Sequence, residues 1–183
     1  MSEEPVIIKS VCVFGEIGES TSSTVIPELL ETNFIEENIK ELHLYICSEG
    51  GMLSHCFALI DFIQVLKRQH NLTVYTYGLG EIASGGFFLF LLGDKRVLFP
   101  NCRIFVHEHI TIDREPQTYS DRLKEDKTTE KELYETYINY TSTQLKVSNK
   151  RAKTLLAKNK WLTKRDIKSF NILGEENEPS PQG

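Results

Sequence analysis

The chain is short of several things. Its four cysteines, Cys12, Cys47, Cys56 and Cys102, show no CxxC spacing, which argues against a cysteine zinc site or a disulfide framework. Three of them lie inside apolar runs, so buried, reduced thiols are expected. Long hydrophobic runs are also missing. The longest, around Ile82–Leu92, is too short to cross a bilayer. The opening MSEEPVIIKS lacks the charged-then-apolar pattern of a secretory signal. The expected compartment is therefore the cytoplasm, with no membrane partner. A net charge of −5 over 183 residues gives no basic excess to attract nucleic acid. There are no internal repeats, and the only breaker-rich stretch is the acidic tail GEENEPSPQG.

What is present is ordinary for a globular chain: 40% hydrophobic and 26% charged residues, enough for one domain with a real core. Strand-like and helix-like segments alternate. Val11–Phe14 reads as a short strand ended by GEIGES, and Thr21–Thr32 as a helix with hydroxyl residues available as N-cap and Pro27 near its start. Leu42–Cys47 (LHLYIC) is a compact apolar run expected as a buried strand. SEGG then turns into a helix whose Leu53, Cys56, Phe57, Ile60 and Ile63 share one face. LTVYTYG reads as the next strand, Ser84–Leu92 as a helix, and Cys102–Val106 as another strand. Alternation of this kind predicts an α/β fold with a parallel sheet and right-handed crossovers.

After Asp113 the character changes. Residues 120–146 are charged, with apolar stripes at Leu133, Tyr137 and Tyr140 and at Tyr134, Ile138 and Leu145. This predicts a long helix projecting from the core, its stripe buried against a partner subunit, followed by a short helix capped by Ser148. From Lys146 to Lys168 the charges are basic apart from Asp166, which reads as a solvated helical face. The whole is expected as one domain: a head core over 1–112, a handle region over 113–147, the rest of the head over 148–174, and a disordered tail over 175–183.

Two stretches carry potential chemistry. GEIASGG places Ser84 between Gly80 and the pair Gly85–Gly86, directly before an apolar helix. A serine hydroxyl needs a base to take its proton and aimed N–H donors for the oxyanion. Gly50–Gly51 and Gly85–Gly86 both stand at strand ends, where an open α/β sheet forms its ligand crevice. His107, at the end of PNCRIFVHEH, is available as the base. The plainer readings are an N-cap for Ser84 and a structural role for His107. The α/β-hydrolase elbow G-x-S-x-G is not met, because Ile82 occupies its first glycine position. His107 and His109 share a strand face, but no third metal ligand accompanies them. No metal and no cofactor is expected.

Three segments together resemble the ClpP family of self-compartmentalised serine peptidases, within the ClpP/crotonase superfamily, from about Val11 to Leu173. LHLYICSEGG is similar to that family's I-Y-L-Y-I-N-S-P-G-G, GEIASGGFFLFLLG to its nucleophile segment, and LFPNCRIFVHEH to A-L-P-N-S-R-I-M-I-H-Q-P. The resemblance implies repeated β-β-α units with a protruding handle helix. It implies Ser84 as nucleophile, His107 as general base, and the backbone N–H groups of Gly51 and Gly85 as oxyanion donors. Substrate would lie extended between Gly51–Leu53 and the strand that begins Glu108, His109 and Ile110. SNKRAKTLLAKNKWLT follows the family pattern from Ser148 to Thr163 without a gap, but Asn159 stands at its aspartate position. An amide can hold the imidazole tautomer but cannot stabilise imidazolium by charge. Asp166 is the nearest substitute acid and is not expected to reach His107. Glu49 and Gly85 replace the family's proline and methionine beside the oxyanion hole, TIDREPQTYS replaces its glycine-rich segment, and the N-terminus is shorter than the family's.

The resemblance further implies peptide substrates and self-assembly into a heptameric ring, single or double, with a Clp-type ATPase or a ClpP subunit as partner. A weakly active or non-catalytic ring subunit is the alternative, which Asn159 favours and the retained Ser84 and His107 oppose. A crotonase-like acyl-CoA enzyme would place an acid near the hole and has no use for a Ser-His pair. A related membrane signal-peptide peptidase would need a Ser-Lys pair and an anchor.

Overall fold

A computed structural model describes residues 6–108 and 119–174 of the chain, with the backbone alone over 119–130. Six strands and six helices follow in the order β1 (Ile7–Ile17), α1 (Glu19–Glu31), β2 (Ile39–Gly51), α2 (Leu53–His70), β3 (Thr73–Ala83), α3 (Gly85–Leu91), β4 (Lys95–Leu98), β5 (Arg103–Val106), α4 (Tyr119–Leu145), α5 (Asn149–Leu156), β6 (Lys160–Trp161) and α6 (Lys164–Ser169). The strands form one sheet in the order β1-β2-β3-β5-β6, with β4 paired to the first half of β3. Every pairing is parallel except β5 with β6. The α/β class with a parallel sheet is therefore as the alternation required.

The three long strands extend past their apolar centres. Glu16 and Ile17 pair with Gly50 and Gly51, and Ser48 pairs with Ile82, each beyond a register shift. Ladder hydrogen bonds, not hydrophobicity, hold these polar, glycine-bearing ends in the sheet. That extension brings the carboxyl ends of β2, β3 and β5 together at one edge, where ligands bind in open α/β sheets.

The core lies between sheet and helices. Leu42, Leu44, Ile46, Val74 and Ile82 point from the sheet; Leu59, Ile60 and Ile63 point from α2; Phe87, Leu89 and Phe90 point from α3. All seven residues of α3 are buried, so its environment, not a polar/apolar stripe, makes it a helix.

The α4 stripe has a different destination from the one its pattern implied. Tyr137, Ile138 and Leu145 are buried within the chain's own core, with Leu133, Tyr134 and Tyr140 packed against it. Tyr137 stacks on Phe57 at 5.3 Å and on Phe88 at 5.3 Å, and Tyr140 meets Phe57 edge-on at 5.5 Å. The second half of the helix thus lays its apolar face against α2 and α3 of its own chain.

Other local differences have equally local causes. α1 is capped at Gly18, not at a hydroxyl residue, with the Thr21 hydroxyl donating to the Glu16 carbonyl at 2.7 Å. Pro27 falls late in that helix rather than near its start. It is exposed, as is Ser23, so the carbonyl left without a partner four residues back faces water. Ser148 caps α5 as expected, accepting from the Arg151 N–H at 3.3 Å. Cys56 and Cys102 are buried and no cysteine is paired, but Cys12 is exposed, because alternation on edge strand β1 turns it away from the core. No helix among the described residues is long and apolar enough to cross a membrane.

Candidate active site

Ser84 occupies the one-residue joint between β3 and α3. Its backbone, at φ 48° and ψ −120°, lies outside the ordinary allowed regions for a residue with a side chain. Strain of this kind persists only where surrounding structure over-determines it, and that structure is visible. Gly50 sits against the joint so closely that a Cβ there would be 2.5 Å from Ser84 Cβ and 2.9 Å from both the Ala83 carbonyl and the Gly85 amide, at φ +100°. Only glycine fits. The Ser48 hydroxyl, itself buried, accepts from the Gly50 N–H at 3.0 Å. From below, the Cys56 thiol donates to the Gly85 carbonyl at 2.9 Å. Burial pushes that thiol up to about 12, against a smaller opposing effect from the Leu89 backbone N–H. Cys56 is therefore a neutral donor that braces the turn, a role its place in an apolar run did not reveal.

Gly51 closes the other side. It pairs with Ile17, and a Cβ on it would collide with the Ile17 carbonyl at 2.3 Å. Its amide nitrogen lies 3.7 Å from where a Cβ on Gly85 would stand. The two glycines singled out by sequence are thus neighbours in space, although they belong to different strand-helix turns.

His107 follows directly on β5, half-buried, its ring centroid 5.9 Å from that of Phe105. Ser84 and His107 line the same cleft, with Phe87, Phe88, Phe105 and Tyr137 among its walls. Its free volume is ≈ 20 Å³, room for about one water. Glu108 stands at the exposed rim, where its carboxylate accepts from the Tyr134 hydroxyl at 2.5 Å. Burial, followed by the hydrogen bond and charge of Glu108, raises the Tyr134 phenol well above its ordinary value. His109 and Ile110 lie outside the described residues.

Asn159 is placed by β6. Val106 pairs with Lys160 and Phe105 with Trp161, antiparallel, so Asn159, which precedes β6, and His107, which follows β5, adjoin the same end of this short ladder. It is exposed, has a left-handed backbone at φ 50°, and is not among the residues lining the cleft. Asp166 is committed elsewhere. It caps α6, accepting from the Thr163 backbone at 3.0 Å and the Thr163 hydroxyl at 2.8 Å, and it pairs with Lys158 at 2.9 Å and Lys160 at 3.2 Å. The Lys158 contact, then the Thr163 hydrogen bonds, hold its carboxyl far below the usual range. Its role is structural.

A Ser-His hydrogen bond lies away from the cleft. The Ser22 hydroxyl meets His55 Nδ1 at 2.8 Å, but it also faces the Gly18 and Glu19 carbonyls and ties α1 to α2. No group of three His, Cys, Asp or Glu suited to a metal occurs among the described residues.

Comparison with known proteins bears on the fold and the family. A structure of an asparagine-to-aspartate variant of ClpP1 from Listeria monocytogenes superposes with a TM-score of 0.74 at 21% sequence identity, over 93% of this chain and 92% of that one. The likeness extends to the fold. The sequence profile of the Clp protease family matches residues 6–175, nearly the whole chain, and the protein belongs to the Clp protease family.

Proposed function

We propose that the protein is a serine-type endopeptidase in which Ser84 is the nucleophile and His107 the general base. The single observation that carries this reading is the strained Ser84 joint opening onto the cleft that His107 also lines. In the proposed reaction Ser84 Oγ attacks the peptide carbonyl carbon while its proton passes to the His107 imidazole. The N–H groups of Gly51 and Gly85 hold the oxyanion, and the imidazolium returns the proton to the departing amine. Water then repeats the sequence on the acyl-serine. The extended peptide adds as a strand beside Gly51–Leu53 on one side and Glu108, His109 and Ile110 on the other.

Asn159 takes the third position, its amide oxygen accepting from the imidazole N–H. In trypsin-like enzymes loss of the equivalent carboxylate lowers kcat by roughly ten-thousandfold, so slow turnover is expected. Members of this family generally form ring oligomers, and we read the chain as a subunit of a heptameric ring, single or stacked. Unfolded polypeptide delivered by a Clp-type ATPase in the cytoplasm is its substrate, and it needs no cofactor.

A weakly active or non-catalytic ring subunit, working beside an active ClpP subunit, is the second reading. The exposed Asn159 and the cleft's small free volume favour it. Intact-mass labelling with a fluorophosphonate separates the two. One adduct on the native chain, absent from Ser84→Ala, is expected. No adduct on folded, assembled protein would transfer the conclusion to the second reading.

A further inference from the structure

On the side of the molecule built by β4, the end of α4 and the end of α6 lies a second cleft of ≈ 720 Å³. Its wall includes Arg96, whose exposure is only 6%. Among the described residues the guanidinium has no adequate partner. Nε and Nη1 are buried without any hydrogen bond, and Nη2 reaches only the Gln144 carbonyl, at 3.4 Å. A buried, unpaired cation is among the costlier arrangements in a folded chain. Burial presses the Arg96 pKa down from its ordinary value, with Tyr140 and Asp94 opposing, and an arginine remains charged regardless.

The nearby acid does not resolve this. Asp94 spends one carboxylate oxygen on Lys67 and the other on the Val74 N–H at 2.9 Å. The remaining charged groups lining the cleft, Lys95, Lys146 and Arg151, are all basic. Lys146 is exposed at its edge, and Arg151 lines it while donating to the Ser169 carbonyl and lying over the Phe170 ring at 5.2 Å. The described chain ends beside this guanidinium: a Cβ on Gly174 would lie 3.7 Å from Arg96 Nη2, and glycine has no side chain to extend there.

We propose that this cleft is an oxyanion-binding site, its ligand a carboxylate or phosphate group held on the Nη2 side of Arg96 with Lys146 and Arg151 at its mouth. The guanidinium charge is delocalised over all three nitrogens, so an anion on one edge offsets the whole charge. Two sources supply this chemistry. One is free phosphate. The other is the run Glu175, Glu176 and Glu178 that follows Gly174 in sequence.

The test titrates inorganic phosphate into the full chain at fixed ionic strength, with chloride as reference, and reads the thermal midpoint. The same titration is run on a full-length variant carrying Glu175→Gln, Glu176→Gln and Glu178→Gln. At about ten times Kd, phosphate is expected to raise the midpoint by about 3–6 °C. An equal rise in both proteins identifies free oxyanion as the ligand. A rise confined to the glutamine variant identifies the chain's own carboxylates as the resident group. The exposed change Lys146→Glu is expected to cut the response at least by half, and Arg96→Gln to remove it. Failure of phosphate to exceed chloride in either protein overturns the proposal. So does a response that survives Lys146→Glu undiminished, which remains readable even if Arg96→Gln does not fold. The outcome is independent of whether Ser84 is reactive.

Discussion

The turn that carries Ser84 and the segment that carries Asn159 bear on the same proposed chemistry, yet they are built in opposite ways. The Ser84 joint is enclosed: Gly50 leaves no room for a side chain beside it, Cys56 braces Gly85, and the helix that follows is buried throughout. Asn159 precedes a two-residue strand whose side chains are exposed. One element is over-determined and intolerant; the other is held by a short ladder and by a lysine-paired cap. Positional precision is concentrated where a nucleophile would stand, and the group that would tune its base sits where substitution costs little.

Breaking the enclosed side should have the largest effect. Gly50→Ala forces a Cβ into the joint at a positive φ, and stability is expected to fall by about 2–4 kcal/mol in urea titration, with loss of any fluorophosphonate labelling. A variant that labels at the native rate would show that the joint is not needed in its observed shape. Sharpening the exposed side should do less. Asn159→Asp supplies the missing charge, and kcat is expected to rise by roughly ten- to a thousandfold, short of a full restoration because an exposed charge is screened. Unchanged turnover in an active enzyme would mean that another group already serves His107.

Next comes the cap beneath Asn159. The Asp166 carboxyl is depressed in the folded chain, so its contribution is fully present above its unfolded value of about 3.9 and is lost as pH falls toward the native value. Asp166→Asn is therefore expected to flatten the acid limb of the stability curve below about pH 4. An unaltered limb would show that the cap contributes nothing at equilibrium. The smallest effect concerns the thiols. Cys12 should react with an aromatic disulfide at once and Cys47 more slowly, while Cys56 and Cys102 wait for unfolding. Early modification of Cys56 would mean that the Ser84 turn opens far more readily than its packing implies.

The same contrast explains what could be read from sequence. Three motifs in order located the Gly50–Gly51 turn, the Ser84 turn and the strand before His107, the first two because each pairs an apolar run with glycines whose positions follow from steric need, the third because a Pro-Asn turn precedes its apolar run. β4 escaped notice because Lys95–Leu98 has two basic residues in four. β6 escaped because Lys160–Trp161 is a strand only through its pairing with β5. The stripe on α4 was legible as apolar, but periodicity does not name the surface it will meet. The Glu108–Tyr134 contact joins residues 26 apart in sequence and left no local signal.

That misplaced stripe has a mechanical consequence. The Tyr140 hydroxyl donates to the Phe88 carbonyl at 3.0 Å, and Tyr137 stacks on the Phe88 ring, four residues beyond Ser84. With rings interleaved on one side and a hydrogen bond on the other, α4 and α3 have no plane along which to slip. A torque applied along the 27-residue α4 would arrive at the serine joint as rotation, with α3 as the short arm of the lever.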